Sequence, residues 1–143
     1  MRVASTVCLV LLFALPVSGQ SKPQVVAPIL QGAAMPMYPP IAEAAHIVGK
    51  VIMRITVANG SVANAEVVSV NDGRAGQRYL EIPTKENLKT WRFAADVNGI
   101  FTVSYTYRIS GTETDEPTNS TVVIHPSLDV EVTARPVKPR MTY

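Results

Sequence analysis

Two histidines and one cysteine are the residues of this chain that could bind a metal or attack a substrate as a soft nucleophile. His46 and His125 have no cysteine and no paired carboxylate near them at ligand spacing, so the sequence predicts no metal site. Cys8, the only cysteine, lies close to the N-terminus. The rest of the chain therefore has neither a disulfide nor a thiol nucleophile to offer.

Two pairs of carboxylates could in principle work as a general acid and a general base. Glu81 with Glu86, and Asp115 with Glu116, lie in polar sequence that would not shield them from water, so each pair is interpreted as part of a solvated surface. Neither a glycine-rich phosphate loop nor a nucleophile elbow is present. The sequence predicts a protein that is not an enzyme and binds no cofactor.

The composition limits the classes of protein to which this chain can belong. The chain has 143 residues, of which 47% are hydrophobic and 17% charged, as expected of one globular domain. A formal charge of +2 gives no basic field of the kind that binds nucleic acid. We therefore expect a protein partner, with no nucleic acid and no evident small-molecule substrate.

The N-terminus has the pattern of a cleavable export signal. Arg2 supplies a positive end, residues 7–15 form an apolar core, and small residues at 17–19 suit a signal peptidase, which predicts cleavage after Gly19. The apolar run is much shorter than the roughly 20 residues of a membrane helix. Residues 20–36, with several prolines and no amphipathic period, are predicted to form an extended leader.

Residues 49–70 have the pattern of a β-hairpin that turns at Asn59-Gly60. A three-residue loop is predicted, because it places Ala63, Ala65 and Val67 on the apolar face of the first strand and keeps Glu66 outside. The same alternation predicts further apolar side chains on the opposite face: Ile52, Val62, Val68 and Val70.

The elements around this hairpin are a short helix at 41–46, a longer helix and a final strand at 100–110. Pro83 is incompatible with a helix interior, so the longer helix is predicted to begin there and to run to Thr90, after a separate turn at 78–82. The order of elements predicts an α+β domain with a three-stranded antiparallel sheet, in the order 2-1-3, packed against helices. The C-terminal tail is a candidate fourth strand.

The alternating apolar residues and the aromatic residues at the exit of the longer helix define a predicted core. Aromatic residues that face a sheet are usually buried rather than exposed for recognition. The predicted core consists of Val51, Met53, Ile55, Val57, Ala65, Val67, Leu88, Trp91, Phe101, Val103, Tyr105 and Ile109.

An ordered set of short motifs gives the chain a family resemblance. Tyr38-Pro39 precedes the short helix, Gly49-Lys50-Val51 opens the hairpin, Val67-Val68-Ser69 ends it, and Leu80 lies eleven residues before Trp91-Arg92-Phe93. In residues 37–110 the chain thus resembles the C-terminal domain of the TonB energy-transducer family. The resemblance implies a periplasmic module that binds outer-membrane receptors, whose short segment adds a strand to its sheet. Residues 111–143 follow as a polar loop and a strand-like tail.

Three hypotheses of function remain open. The first is an exported binding or adaptor module of the cell envelope that acts by strand addition and is linked to TonB-dependent transport. In the second, the N-terminus is retained as an anchor and the chain transduces energy. The third is a self-associating structural protein, suggested by the apolar residues predicted on the second face of the hairpin.

The strand at 100–110 is the predicted docking site, because the order 2-1-3 leaves it at the edge of the sheet with free backbone groups. The residues predicted to bind the partner alternate along it: Ile100, Thr102, Ser104, Thr106 and Arg108. The tail offers strand-like pieces at 121–124 and 128–134. We expect part of this tail to pair antiparallel with the strand and to cover the docking site.

Overall fold

The structure is a computed structural model that describes residues 26–71 and 76–140. The predicted signal peptide at 1–19, the beginning of the predicted leader and most of the turn that follows the hairpin lie outside the described residues.

The described residues form one seven-stranded sheet and two helices. In chain order the elements are β1 (Leu30–Gly32), α1 (Pro40–Ala44), β2 (Gly49–Ala58), β3 (Ser61–Asn71), α2 (Gln77–Leu88), β4 (Arg92–Phe93), β5 (Gly99–Ile109), β6 (Thr121–Ile124) and β7 (Asp129–Ala134). The strand order is β1-β4-β3-β2-β5-β7-β6, and only β5 and β7 run parallel.

The predicted sheet of three or four antiparallel strands packed against helices is therefore wrong, because the sheet is larger and mixed. Its centre, β3-β2-β5, has the predicted neighbours, and β2 pairs with β5 along nine successive residue pairs. The additional strands are short pieces at both sides of this centre, of two to six residues each. β6 and β7 match the strand-like pieces predicted in the tail, whereas β1 and β4 are too short to show an alternation that the sequence could reveal.

The hairpin turn is shorter than predicted. Ala58 pairs with Ser61, so only Asn59 and Gly60 form the loop, and both have positive φ, 50° and 76°. These angles match a type I′ turn, which suits the twist of a hairpin. The register then shifts at Ala63, so that Ala65 still faces the core opposite Ile55. The side-chain faces follow the prediction from Ala65 to Val67, while the predicted three-residue loop and the inward Ala63 are wrong.

Two register shifts in β3 also change the predicted second apolar face. Val57 pairs with Val62, and Val51 pairs with Val70, so both β3 valines lie on the core side, where they pack against the core. A bulge places an extra residue in one strand and thereby reverses the alternation. Val68 remains exposed. The continuous apolar face predicted opposite the core is therefore wrong.

Helix α2 continues through Pro83 instead of beginning there. Leu80 and Leu88, on either side of the proline, are fully buried on one face of the helix. Burying two leucine side chains contributes about 1.5–3 kcal/mol each, whereas an interior proline costs about 3 kcal/mol. Tertiary packing therefore outweighs the local preference of Pro83.

One hydrophobic core holds residues from the leader, the central segment and the tail. Leu30 packs against it from β1, and Val130 and Val132 are buried in it from β7. Trp91 is fully buried, with its ring centroid 6.1 Å from that of Tyr105. The other predicted core residues are also buried, except that Val67, Phe101 and Ile109 are only partly buried and pack against the core.

The tail pairs with β5 as predicted, but the predicted antiparallel direction is wrong. β6 and β7 form a hairpin, and β7 lies beside β5 in parallel. The inner position goes to β7 because Val130, Val132 and Ala134 give it a longer apolar face than β6 has. The long chain between β5 and β7 supplies the crossover that a parallel pair needs.

Candidate functional site

Strand β5 is covered by the tail over only part of its length. β7 pairs with residues 104–109 of β5, whereas residues 99–103 pair with β2 alone. The predicted binding residues Ser104, Thr106 and Arg108 therefore lie on an interior part of the sheet, because β7 occupies that edge. Ile100 and Thr102 lie on the part that β7 does not reach. We call the free side of residues 99–103 the docking edge.

The hydrogen bonds of β5 show which backbone groups point toward the docking edge. The N–H groups of Ser104 and Ser110 donate to the carbonyls of Leu128 and Ala134, at 3.3 and 2.9 Å. Even-numbered residues of β5 thus point their N–H and C=O groups away from β2, because backbone groups alternate sides along a strand. By this alternation the backbone groups of Ile100 and Thr102 point to the docking edge.

The chain ends the β5–β7 pairing with a tight turn. The N–H of His125 donates to Asp129 at 2.8 Å, and the N–H of Leu128 donates to His125 at 3.0 Å. Leu128 has a φ of 64°, an uncommon conformation for a residue with a side chain, and its side chain is buried. The turn carries the chain away from β5, so β7 cannot extend along the docking edge.

A carboxylate fixes the start of β7. Asp129 accepts hydrogen bonds from the hydroxyl groups of Ser104, at 2.5 Å, and Ser127, at 2.6 Å. These bonds hold the pKa of Asp129 below its usual value, the Ser104 bond most strongly, with smaller contributions from the charges of Lys50 and His125. Both hydroxyls are engaged directly by the carboxylate, with no imidazole between them, so the cluster does not have the arrangement of a nucleophilic triad.

Two grooves meet at the turn before β7. An apolar groove of about 980 Å³ lies on one side and is lined by Val26, Ala27, Ile29, Leu30, Ile124, His125, Pro126, Ser127 and Leu128. A polar groove of about 670 Å³ lies on the other and is lined by Lys50, Ser104, Thr106, Arg108, His125, Pro126, Ser127, Asp129 and Glu131. The apolar groove was not predictable from the sequence, because Val26 and Ile29 belong to the predicted leader and have no local pattern that indicates packing.

A partly buried polar network supports β5 from the helix side. Asn87 on α2 accepts hydrogen bonds from the Tyr105 hydroxyl at 2.7 Å and the Trp91 indole N–H at 3.2 Å, and it donates to the carbonyl of Ala34 at 2.9 Å. Burial raises the pKa of Tyr105 far above its ordinary value. The network fixes β5, α2 and the segment after β1 against one another.

A second polar contact lies under the covered part of β5. The hydroxyl groups of Thr84 and Tyr107 are hydrogen-bonded at 2.8 Å, and Thr84 also donates to the carbonyl of Leu80. Burial raises the pKa of Tyr107 to about 12, and the Thr84 bond opposes this shift. Both tyrosine hydroxyls of this face are thus hydrogen-bonded to side chains of α2.

Cys8 lies outside the described residues, and the other side chains first considered for chemistry are not assembled into a site within them. His46 lies 3.3 Å from the carbonyl of Val137, and His125 lies at the turn before β7. Within residues 26–71 and 76–140, no group of three or more histidine, cysteine or acidic side chains could hold a metal ion. Three of the four carboxylates of the candidate acid and base pairs form exposed ion pairs: Glu86 with Lys89, Asp115 with Lys138, and Glu116 with Arg140.

Comparisons of the sequence with protein-family models and with curated proteins do not identify this chain. No protein-family model matches the sequence, and no curated protein matches it. Among the helices of the described residues, none is long and apolar enough to cross a membrane.

Proposed function

We propose that this chain is an exported, non-enzymatic binding module of the cell envelope that holds an extended segment of a partner protein by strand addition. The observation that carries this proposal is the docking edge, where β5 is paired with β2 alone, while residues 104–107 of the same strand are paired on both sides. An unpaired strand edge is a template for another strand, because its backbone groups are already aligned.

The resemblance of residues 37–110 to the TonB C-terminal domain supports the same proposal, since the family binds receptor segments in this way. The resemblance implies a periplasmic location and a link to TonB-dependent transport, and both are part of the proposal. The energy-transducing alternative depends on an N-terminal anchor. N-terminal sequencing of the mature protein separates the two, because a chain that begins near Gln20 has no such anchor.

The self-associating alternative has less support than the sequence suggested. Val62 and Val70, two of the four valine and isoleucine side chains that motivated it, pack against the core. Light scattering across a concentration series tests this alternative, and a mass that rises with concentration would favour it.

A selection from a random peptide display library tests the proposed function. Thr102→Pro removes the N–H group that points to the docking edge, and a proline is tolerated where a strand N–H is not bonded to a neighbour. Thr102→Val is the matched control, because it keeps the N–H and the branched side chain. We expect selected peptides to bind the wild type and Thr102→Val but not Thr102→Pro. Equal binding to all three proteins would contradict strand addition here.

A further inference from the structure

The chain's own strand β7 shows which side chains fit beside β5. Val130 and Val132 face the core and are buried, while Asp129 and Glu131 lie on the solvent side and line the polar groove. Glu131 lies 3.8 Å from Arg108 of β5. The covered part of this edge thus accepts a strand that alternates apolar residues inward with acidic residues outward.

The core side of the docking edge continues this preference through the apolar groove. Leu128, which lines the groove, accepts the Ser104 N–H at the point where the docking edge begins. Leu30 lines the opposite wall and pairs with Phe93, whose ring lies 6.5 Å from that of Phe101 in the docking edge. The groove therefore lies on the core side of a strand added beside Phe101. Among the described residues that line the groove, His125 is the only titratable one.

The solvent side of the docking edge presents a positive charge. Arg54 of β2 is the cross-strand partner of Thr102, and its side chain is exposed. In the part of the chain that the structure describes, no carboxylate lies within 4.0 Å of Arg54, and its other neighbour, Glu66, is bonded to Asn64. A strand added beside Thr102 would lie roughly 10 Å from the β2 backbone, two strand spacings away. An acidic side chain there can reach the Arg54 guanidinium.

We infer that the partner segment is an extended strand with apolar side chains facing the apolar groove and acidic side chains facing Arg54. This inference rests on the proposed function and adds the chemistry of the segment to it. The groove has a volume of about 980 Å³, and Ile29, 83% exposed, forms part of its wall. The partner would continue the pattern of β7 along the same edge of β5.

Short synthetic peptides test the inference directly by fluorescence anisotropy. The probes are a peptide in which valine alternates with glutamate, a peptide in which valine alternates with lysine, and a peptide of the first composition with its valines contiguous. We expect the valine–glutamate alternation to bind at least about tenfold more tightly than either of the others, which corresponds to about 1.4 kcal/mol. Equal affinity for the lysine peptide or for the contiguous peptide overturns the inference, as does the failure of all three to bind.

Two exposed residues separate the contributions of the groove and the charge. Ile29→Ser should weaken binding of the valine–glutamate peptide equally at low and high salt, because it removes apolar contact. Arg54→Gln should weaken it mainly at low salt, because salt screens exposed charges. Neither side chain is part of the core, so both variants should fold as the wild type does.

The outcome also separates this inference from the function on which it rests. If Thr102→Pro abolishes binding while Ile29→Ser and Arg54→Gln leave it unchanged, strand addition stands and the proposed chemistry of the segment is wrong. If Thr102→Pro binds the peptide as well as Thr102→Val does, strand addition at the docking edge is itself contradicted.

Discussion

The two halves of β5 have the same side-chain alternation but different neighbours. In residues 104–107 both edges are paired, to β2 and to β7, whereas residues 99–103 are paired to β2 alone. Phe101 is only partly buried, while Tyr105 and Tyr107 on the same face are buried. The comparison shows that another segment of the chain decides whether a strand edge is exposed. In this protein the length of β7 decides it.

Different contacts also support the two halves from within. Beneath the covered half, Tyr107 bonds to Thr84 and packs edge-on against Tyr38, with ring centroids 5.4 Å apart. Near the free half, the hairpin tip at Gly60 bonds to Val97, two residues before β5. Changes at these supports should therefore affect the two halves unequally.

Amide hydrogen exchange should show the largest difference between the halves. We expect the amides of Ile100 and Thr102 to exchange at least about 1000-fold faster than those of Thr106 and Arg108, because local opening free energies range from near zero to the global value. The amide of Val103, which points to β2, is the internal control and should be as protected as Thr106. Equal protection of the even-numbered amides along β5 would contradict the comparison.

Trp91→Ala should destabilise both halves together. The indole is fully buried and lies beside Tyr105, so its removal should lower the free energy of unfolding by about 3–5 kcal/mol. Urea denaturation measures this loss, and Lys85→Ala on the exposed side of α2 is the control. A loss below about 1 kcal/mol would mean that Trp91 is not part of the core.

Gly60→Ala should disturb the free half more than the covered half. Gly60 has positive φ, and a Cβ there would lie 2.5 Å from the carbonyl oxygen of Phe93. Left-handed strain and this contact together should cost at least about 2 kcal/mol. Gly32→Ala is the matched control, because an added Cβ meets nothing within 4 Å. If the two variants unfold at the same urea concentration, the close approach at Gly60 is not as described.

Thr84→Val should weaken the covered half specifically. The substitution keeps the shape of the side chain but leaves the buried Tyr107 hydroxyl without its partner, at a cost of about 1–3 kcal/mol. The double variant Thr84→Val with Tyr107→Phe should recover part of this loss, because it removes both polar groups. Additive losses in the double variant, measured by urea denaturation, would contradict a direct coupling.

Glu43→Gln should give the smallest effect and one that depends on pH. Glu43 is 3% exposed and one carboxyl oxygen, Oε1, lacks a hydrogen-bond partner among the described residues. Burial raises its pKa above the ordinary 4.5, and the backbone N–H of Thr118, in the loop before β6, opposes this shift. The folded protein thus holds its proton more tightly than the unfolded chain does, so stability falls as pH rises above 4.5 and through the raised pKa.

Thermal unfolding of the wild type and of Glu43→Gln at acidic and neutral pH measures this effect. The variant should be the more stable protein at neutral pH, and the difference should shrink in acid, where Glu43 is neutral in both states. Glu86→Gln, at an exposed position of α2, is the control. A difference that grows as the pH falls would have the wrong sign.

The sequence was sufficient to predict the strands at the centre of the sheet and the hairpin turn between two of them. Strict alternation places Val51, Met53, Ile55 and Val57 on one face of β2, and all four are buried there. Asn59-Gly60 locates the hairpin turn for the same local reason, because few residue pairs accept positive φ. The bulge at Ala63 could not be predicted from the sequence. It arises because the two-residue turn has to be combined with an apolar face on both strands.

The sequence by itself thus determined the hairpin, the long amphipathic strand and the turn chemistry, all of which depend on neighbours a few residues apart. The sequence also predicted that the tail pairs with β5, but only the tertiary structure decided which strand of the tail lies there, in which direction it runs, and where its pairing stops. The direction of β7 depends on its apolar face competing with that of β6 for one edge, and the docking edge exists because the turn at Leu128 ends that pairing. Both features depend on interactions between segments that are far apart in the chain, and local sequence patterns do not show such interactions.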